Sequence, residues 1–158
     1  MVVGASAGKV TGDIKTTKWA KKGIEFGYSS PSVDGTRLYQ LDNSSTLRAY
    51  DTETGKELWS LPLSVAQKAP PVMADGKIYV GTDNGKFFII RPQADRGEIL
   101  SAVTLADSTN SCCGSEGTPE QVLGGAAISR GRIFFVSSDA IYAIGPKAAR
   151  SLTGYAVD

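Results

Sequence analysis

The sequence repeats itself with a period of about 40 residues, and this self-similarity limits the fold more than any other feature. Three segments resemble one another, at residues 30–59, 70–100 and 125–144. Trp19 to Trp59 is a step of 40 residues, and Pro31 to Pro71 is again 40. The third segment follows a longer gap, and a partial unit that ends at Trp19 precedes the first. The chain is therefore predicted to stack copies of one small structural unit.

Each unit reads as short strands joined by tight turns. Strands are predicted near residues 37–41, 46–50, 77–81, 86–90, 132–137 and 140–144, where β-branched and aromatic residues are frequent. The Asp-Gly pairs at 34–35 and 75–76, and Asn84-Gly85, predict two-residue hairpin turns. Four short strands in 40 residues are typical of a β-propeller blade. An antiparallel sandwich would fit the strand content, but it would not explain the repeat.

The predicted fold is all-β: a partial propeller ring of about three to four blades, each a four-stranded antiparallel sheet. We expect one domain over residues 1–158. Its predicted parts are a partial blade (1–22), two blades (23–63 and 64–106), an inserted loop (107–124), and an incomplete blade with a tail (125–158). The first residues lack the basic and long apolar segments of a signal peptide, so we expect either trimming or a fragment of a longer protein.

Composition excludes several functional classes. Histidine is absent, which removes Ser-His-Asp and Cys-His nucleophiles and histidine zinc sites. The net charge is +1 without a basic stripe, so we expect no nucleic-acid partner. Apolar stretches are shorter than the roughly 18 residues of a spanning helix, so we predict no membrane span. Asp42-Asn43-Ser44-Ser45 and Asp83-Asn84-Gly85 are interpreted as turns rather than calcium loops, and no metal site is predicted.

The segment 47–59, which ends in Thr-Gly-Lys-Glu-Leu-Trp, closely resembles the repeat of pyrroloquinoline-quinone-like propellers. The runs at 75–81 and 139–144 resemble it too, and the resemblance extends over about residues 24–145. It implies that each Trp packs between neighbouring blades, beside a Gly that allows close approach. Trp19 and Trp59 keep this pattern, whereas Leu100 is aligned with them in the next unit, which predicts weaker docking there. Members of the family commonly have seven or eight blades, so the chain is predicted to be part of a larger propeller.

This family contains both enzymes and scaffolds. Quinoprotein dehydrogenases hold the quinone and a calcium ion over the propeller axis, and they carry a disulfide between adjacent cysteines that contacts the quinone. Cys112 and Cys113 are adjacent here, and they are the candidate cofactor-binding residues. The sequence that follows them does not resemble the dehydrogenase motif, and neither Trp is placed to stack under a quinone. We therefore favour a loop cross-link or two free thiols in a Gly/Ser-rich insertion, and catalytic residues remain unknown.

Other members have lost the cofactor and serve as scaffolds, like the outer-membrane assembly factor B, and the fold alone does not decide between the branches. The absent histidines, the absent calcium and quinone constellation and the balanced charge favour the scaffold branch. We predict a non-catalytic binding or scaffold propeller of the bacterial cell envelope, periplasmic, without a cofactor. The expected partners are a protein or the remaining blades, and open blade edges also allow a homo-oligomer. The alternative is a portion of an alcohol or sugar dehydrogenase that uses pyrroloquinoline quinone with calcium, and a third class is a sensor domain attached to an enzyme. Residues 107–124 are the segment where special function is expected.

Overall fold

The computed structural model describes residues 2–3, 17–63, 67–110 and 116–145. All regular secondary structure in these ranges is β-strand. The strands are β1 (Val2–Val3), β2 (Ala20–Lys21), β3 (Ser32–Asp34), β4 (Arg37–Leu41), β5 (Thr46–Asp51), β6 (Glu57–Pro62), β7 (Val72–Ala74), β8 (Lys77–Gly81), β9 (Lys86–Pro92), β10 (Gly97–Thr104), β11 (Ala127–Ser129), β12 (Arg132–Val136) and β13 (Ile141–Ile144). A search of the described residues for a helix long and apolar enough to cross a membrane finds none.

The strands form consecutive antiparallel meanders. Blade I consists of β3–β6, blade II of β7–β10 and blade III of β11–β13, while β1 pairs with β2. The prediction of an all-β partial propeller is confirmed, and the predicted strands agree with the observed ones to within two residues. Blade III has three strands among the described residues, so the outer edge of β13 has no strand paired with it there.

The hairpin turns correct two predictions. In blade I, Asp34 pairs with Arg37, so the central turn residues are Gly35 and Thr36 rather than Asp34 and Gly35. In blade II, Ala74 pairs with Lys77, so Asp75 and Gly76 are central, as predicted. The two Asp-Gly pairs are therefore not equivalent, and the repeat keeps a step of 40 residues through this hairpin.

The second correction concerns Asn84-Gly85. The Thr82 N–H donates to the Lys86 carbonyl, which leaves three loop residues, Asp83, Asn84 and Gly85, instead of two. Gly85 takes the left-handed conformation that this turn requires, with φ +77°. Ser45 occupies the same place in blade I, with φ +59°, although a serine adopts this conformation less readily.

The core lies between the blades. We call the side of a blade that packs on the next blade along the chain its forward face. The forward face of blade I packs on blade II in one buried cluster: Tyr39, Leu41, Leu47, Ala49, Trp59 and Leu63 with Ile78, Val80, Phe88 and Ile90. Between blades II and III, the ring of Phe87 stacks on Phe135 at 4.3 Å between centroids, and Phe135 stacks on Tyr142 at 4.9 Å. Burial of these apolar faces stabilises the ring arc.

Each tryptophan docks on the following sheet in the same way. Trp19 donates its indole N–H to the Thr52 carbonyl (2.8 Å), and its ring covers Gly55, where a Cβ would lie 2.6 Å from the ring. Trp59 donates to the Gln93 carbonyl (3.2 Å), and its ring lies against Gly97. The structure thus shows the Trp-on-Gly packing that the resemblance implied.

The joint between blades II and III lacks this tryptophan, and its register corrects the sequence alignment. Trp59 pairs with Ala49, and the corresponding pair in blade II is Ser101 with Ile89, so Ser101 rather than Leu100 takes the place of Trp59. The insertion fills part of this joint. Val122 is fully buried against Gly81, where a Cβ would lie 2.2 Å from its side chain.

Candidate functional site

The described parts of the insertion (residues 107–110 and 116–124) lie on the face of the ring that carries the turns between the second and third strands of each blade. We call this the insertion face. Each of these turns is closed by a side-chain oxygen that accepts from a backbone N–H. Asp42 accepts from Thr46 (2.9 Å), Thr82 from Lys86 (3.0 Å), and Ser137 from Ala140 (2.9 Å). Of these capping residues, the sequence analysis placed only Asp42 in a turn; Thr82 and Ser137 were not predicted.

Backbone hydrogen bonds fix the base of the insertion on two blades. The Val122 N–H donates to the Thr82 carbonyl of blade II (3.0 Å), and the Ser138 N–H of blade III donates to the Gln121 carbonyl (2.8 Å). Within the insertion, Ser108 donates its N–H to Thr118 (2.7 Å). The base therefore joins blades II and III and holds the ends of the outer part of the loop together.

Asp139 of blade III holds the first residues of the insertion, Ser108 and Thr109. Its carboxylate accepts from the Ser138 hydroxyl (2.7 Å), the Ser108 hydroxyl (2.8 Å) and the Thr109 N–H (3.0 Å). These hydrogen bonds, led by the one from Ser138, hold the pKa of Asp139 below its usual range. Asp139 is therefore an ionised anchor for the loop.

Glu120 forms a second anchor, deeper in the same base. Its side chain is buried, and it accepts hydrogen bonds from the Ser137 and Tyr142 hydroxyls, the latter at 2.8 and 2.9 Å. The hydrogen bond to Glu120 raises the pKa of the Tyr142 hydroxyl. Burial of a carboxylate is tolerated only with such partners, so these hydrogen bonds hold the insertion base on blade III.

A small cavity of about 220 Å³ opens beside this base. Its lining residues are Gln121, Leu123, Gly124, Val136, Ser137 and Ser138. Leu123 is 45% exposed and Val136 is 55% exposed at its rim. A concave apolar site beside a rigid polar network is suited to receive an apolar side chain.

A third polar cluster lies on blade I and was missed by the sequence analysis. Arg48 donates to Asp42 (2.9 Å) and to Glu57 (3.2 Å). Burial alone would raise the pKa of Asp42, but hydrogen bonds from Ser44, Thr46 and Arg48 outweigh it and lower that pKa. When the strand pairings of blades I and II are compared, Arg48 occupies the position that Phe88 has in blade II. A strand-by-strand alignment of the repeats could have revealed this charged residue at a position that is apolar in the next repeat.

The predicted cofactor residues, Cys112 and Cys113, lie outside the described residues. The structure describes the loop up to Asn110 and again from Glu116, and the two ends approach through the pairing of Ser108 with Glu116. The assignment of Cys112 and Cys113 as cofactor-binding residues stays a prediction.

The described residues do not fit a quinone tricarboxylate held with calcium. Such a site needs free carboxylates for the ion and free guanidinium groups for the quinone. On the insertion face, Asp42, Glu120 and Asp139 each accept hydrogen bonds from the protein, and Arg48 is paired with two carboxylates. Asp83 pairs with Lys68 through one oxygen at 3.7 Å, and its other oxygen is buried without a hydrogen-bond partner, so a single carboxylate oxygen is free there. Among residues 17–63, 67–110 and 116–145, no three acidic or cysteine side chains form a group that could hold a metal ion.

Comparison with protein families gives one match. The family model of the outer membrane protein assembly factor BamB matches residues 4–100, which is more than half of the chain. The chain belongs to this family. Among curated proteins, no relative matches the sequence.

Solved structures with the same fold come from both branches of the propeller family. BamB from Moraxella catarrhalis superposes with a TM-score of 0.62 at 13% identity, over 82% of this chain and 36% of its own. Quinohemoprotein alcohol dehydrogenase ADHIIG from Pseudomonas putida HK5 gives 0.62 at 20% identity, over 79% and 20%. A europium-containing methanol dehydrogenase gives 0.61 at 18% identity, over 78% and 23%. The chain thus spans about a third of the BamB structure and a quarter or less of the two dehydrogenases, and at these identities the likeness shows the fold alone.

Proposed function

We propose that the chain is part of a non-catalytic binding propeller of the bacterial cell envelope, in the periplasm, and that its partner is a protein. The observation that carries this proposal is the structural use of three carboxylates on the insertion face. Asp42, Glu120 and Asp139 accept hydrogen bonds from turns and neighbouring loops, so they stabilise the surface instead of presenting free ligands. Membership in the BamB family supports the same interpretation.

The binding surface that we propose is the apolar rim beside the insertion base. Leu123 is exposed there, while the groups beneath it are held by hydrogen bonds; Val136, on the forward face of blade III, is not part of this surface. A rigid base with exposed apolar side chains resembles the centre of a protein interface, where ordering costs little on binding.

We also propose that further blades complete the ring. The forward face of blade III carries Phe134, Val136, Ile141 and Ala143, which the strand register equates with Tyr39, Leu41, Leu47 and Ala49 of blade I. In blade I those residues are buried against blade II, whereas Ile141 is 79% exposed. A face with the same apolar pattern requires a similar cover.

Site-specific cross-linking tests the proposed interface. A photoreactive amino acid replaces Leu123 in the chain produced in the periplasm, and the matched control replaces Arg96, an exposed residue in a turn at the opposite end of the strands. We expect a discrete cross-linked protein from position 123 and none from position 96. Equal cross-linking from both positions, or none from either, would contradict the proposed binding surface.

The second candidate is a portion of a quinoprotein dehydrogenase, which the structural likeness to two dehydrogenases and the Cys112-Cys113 pair favour. Titration with pyrroloquinoline quinone, with and without calcium, separates the two functions. The scaffold proposal expects no saturable, calcium-dependent binding and no reduction of a dye acceptor. Micromolar binding that requires calcium would establish the dehydrogenase alternative instead.

A further inference from the structure

The first hairpin of each blade joins its first two strands, and the three first hairpins differ in charge. In blade I, Asp34 lies opposite Arg37 across the hairpin, one acid and one base. In blade II, the turn residue Asp75 precedes Lys77, again one acid and one base. Because the three hairpins share the same backbone pairing, their side chains can be compared position by position.

Blade III breaks this balance. Ser129 lies opposite Arg132 where blade I has Asp34 opposite Arg37, and Arg130 is the first turn residue where blade II has Asp75. The acidic residue is therefore lost and a second arginine is gained. Within residues 17–63, 67–110 and 116–145, neither Arg130 nor Arg132 forms an ion pair.

Arg130 occupies a conformation that disfavours arginine. Its φ is +50°, in the left-handed region, and the equivalent residues are Gly35 (φ +58°) and Asp75 (φ +49°). Glycine and aspartate adopt this conformation readily, whereas a long side chain does so at a cost in free energy. An unfavourable residue held at a turn is a reason to look for a function there.

Arg130 and Arg132 line the same cavity. Among the residues that the structure describes, Ser129, Arg130, Arg132 and Phe134 line a cavity of about 440 Å³, and none of these four is acidic. The stem of Arg132 is positioned by Gly145, where a Cβ would lie 2.8 Å from its Cγ. The cavity is thus lined by two arginines, a serine and a phenylalanine.

Docking of a further blade explains only part of this arrangement. Arg37, the blade I equivalent of Arg132, donates to the Gln93 carbonyl of the next blade (2.8 Å). A neutral carbonyl needs one arginine, so docking accounts neither for the second arginine nor for the loss of the acid. Two adjacent guanidinium groups instead match an oxyanion, which accepts paired hydrogen bonds from each fork.

We propose that the first hairpin of blade III binds an oxyanion, a carboxylate or a phosphate group, between Arg130 and Arg132. The Ser129 hydroxyl adds a donor. This site lies at the opposite end of the strands from the insertion face, so it is separate from the proposed protein-binding rim.

The test uses the whole chain and two probes, inorganic phosphate and succinate, in a low-salt buffer at neutral pH. NMR chemical shifts of the arginine Nε–H groups and of the backbone at residues 129–134 report binding. We expect a saturable shift at these residues with one of the probes, weakened by added sodium chloride but independent of calcium. The probe that binds more tightly identifies the anion as phosphate or carboxylate. Calcium independence distinguishes this site from a quinone site.

Variants taken from the other blades provide the controls. Arg130→Asp introduces the residue of blade II, which suits the turn, and should weaken binding by about tenfold or more because one fork is lost and a negative charge is added. Arg132→Lys, also the residue of blade II, should weaken it by a smaller factor. Arg37→Lys, the same change in blade I, should leave it unchanged. Absence of saturable binding in the wild type, or equal binding by Arg130→Asp, would overturn the proposal. An equal loss from Arg37→Lys would also overturn it, because binding would then reflect net charge.

Discussion

Truncation of Trp59 tests the claim that tryptophan docking holds the blades together. The side chain is 6% exposed and packs between Tyr39, at 5.9 Å between ring centroids, and Gly97 of blade II. Its indole N–H donates to the Gln93 carbonyl at 3.2 Å. Trp59→Ala removes both the apolar contact and the hydrogen bond from the joint between blades I and II.

The expected cost can be worked out from these contacts. A buried tryptophan removes about 200 Å² from water, which at about 25 cal/mol per Å² corresponds to about 5 kcal/mol as an upper value. Measured truncations of buried aromatic residues cost about 3–5 kcal/mol. Most domains are stable by only about 5–15 kcal/mol, so Trp59→Ala should remove a large part of the total. Trp59→Phe keeps most of the ring but loses the N–H, and should cost less because a neutral hydrogen bond contributes about 0.5–1.5 kcal/mol.

Urea and thermal unfolding of the wild type, Trp59→Ala and Trp59→Phe provide the measurement. We expect Trp59→Ala to unfold at a much lower temperature or to express poorly, with Trp59→Phe in between. A loss below about 1 kcal/mol for Trp59→Ala would refute the docking argument, since it is less than the truncation of one buried aliphatic side chain. Equal losses for the two variants would show that the hydrogen bond, and not burial, carries the effect.

Three further predictions concern the insertion and the turn caps. Replacing Cys112 and Cys113 by serine should shift the melting temperature little under non-reducing conditions, because a bond between adjacent residues closes almost no chain; a drop as large as that of Trp59→Ala would contradict this. Glu120→Ala should cost about 1–3 kcal/mol in urea unfolding, because it leaves two hydroxyl groups without their acceptor, and Glu120→Gln should cost less. The pKa of Asp42 is lowered from the ordinary value of 3.8, so the ionised carboxylate stabilises the fold at pH values above 3.8, and this stabilisation is lost as the pH falls through the lowered pKa. Asp42→Asn should therefore make the free energy of unfolding depend less on pH in the acid range. An unchanged pH dependence would exclude this role.

The strands could be predicted because each blade position is constrained by the same packing. Lys77–Gly81 and Arg37–Leu41 were predicted with their observed bounds. The predicted turn of the blade I hairpin was wrong. Asp-Gly indicates a turn wherever it occurs in a sequence, whereas the pairing of the two strands decides which residues lie at the centre of the turn. A turn centred on Asp34 and Gly35 would put Pro31 in the ladder opposite Leu38, and proline has no N–H to donate there. The step of 40 residues between the prolines indicated the true register.

The candidate site could be predicted only as a segment. The length of residues 107–124 marked it, but its anchors Glu120 and Asp139 act through partners that are distant in the sequence. Glu120 bonds a tyrosine 22 residues later, and Asp139 bonds a serine 31 residues earlier. No local motif relates such residues, because they meet only when the insertion lies on blade III.

Three departures from the repeat meet at the joint between blades II and III: a serine in place of a tryptophan, a glycine in place of a leucine, and a buried residue of the insertion. The third compensates for the first two. With Ser101 in place of a tryptophan, the joint loses its largest apolar contact, and Gly81 removes the side chain that Leu41 supplies in blade I. Val122 enters this space and is fully buried, so the insertion replaces packing that the strands have lost. A loop with only a binding role would not need a fully buried anchor in the core. Because Val122 packs in the joint between blades II and III, the base of the insertion is tied to the blade interface.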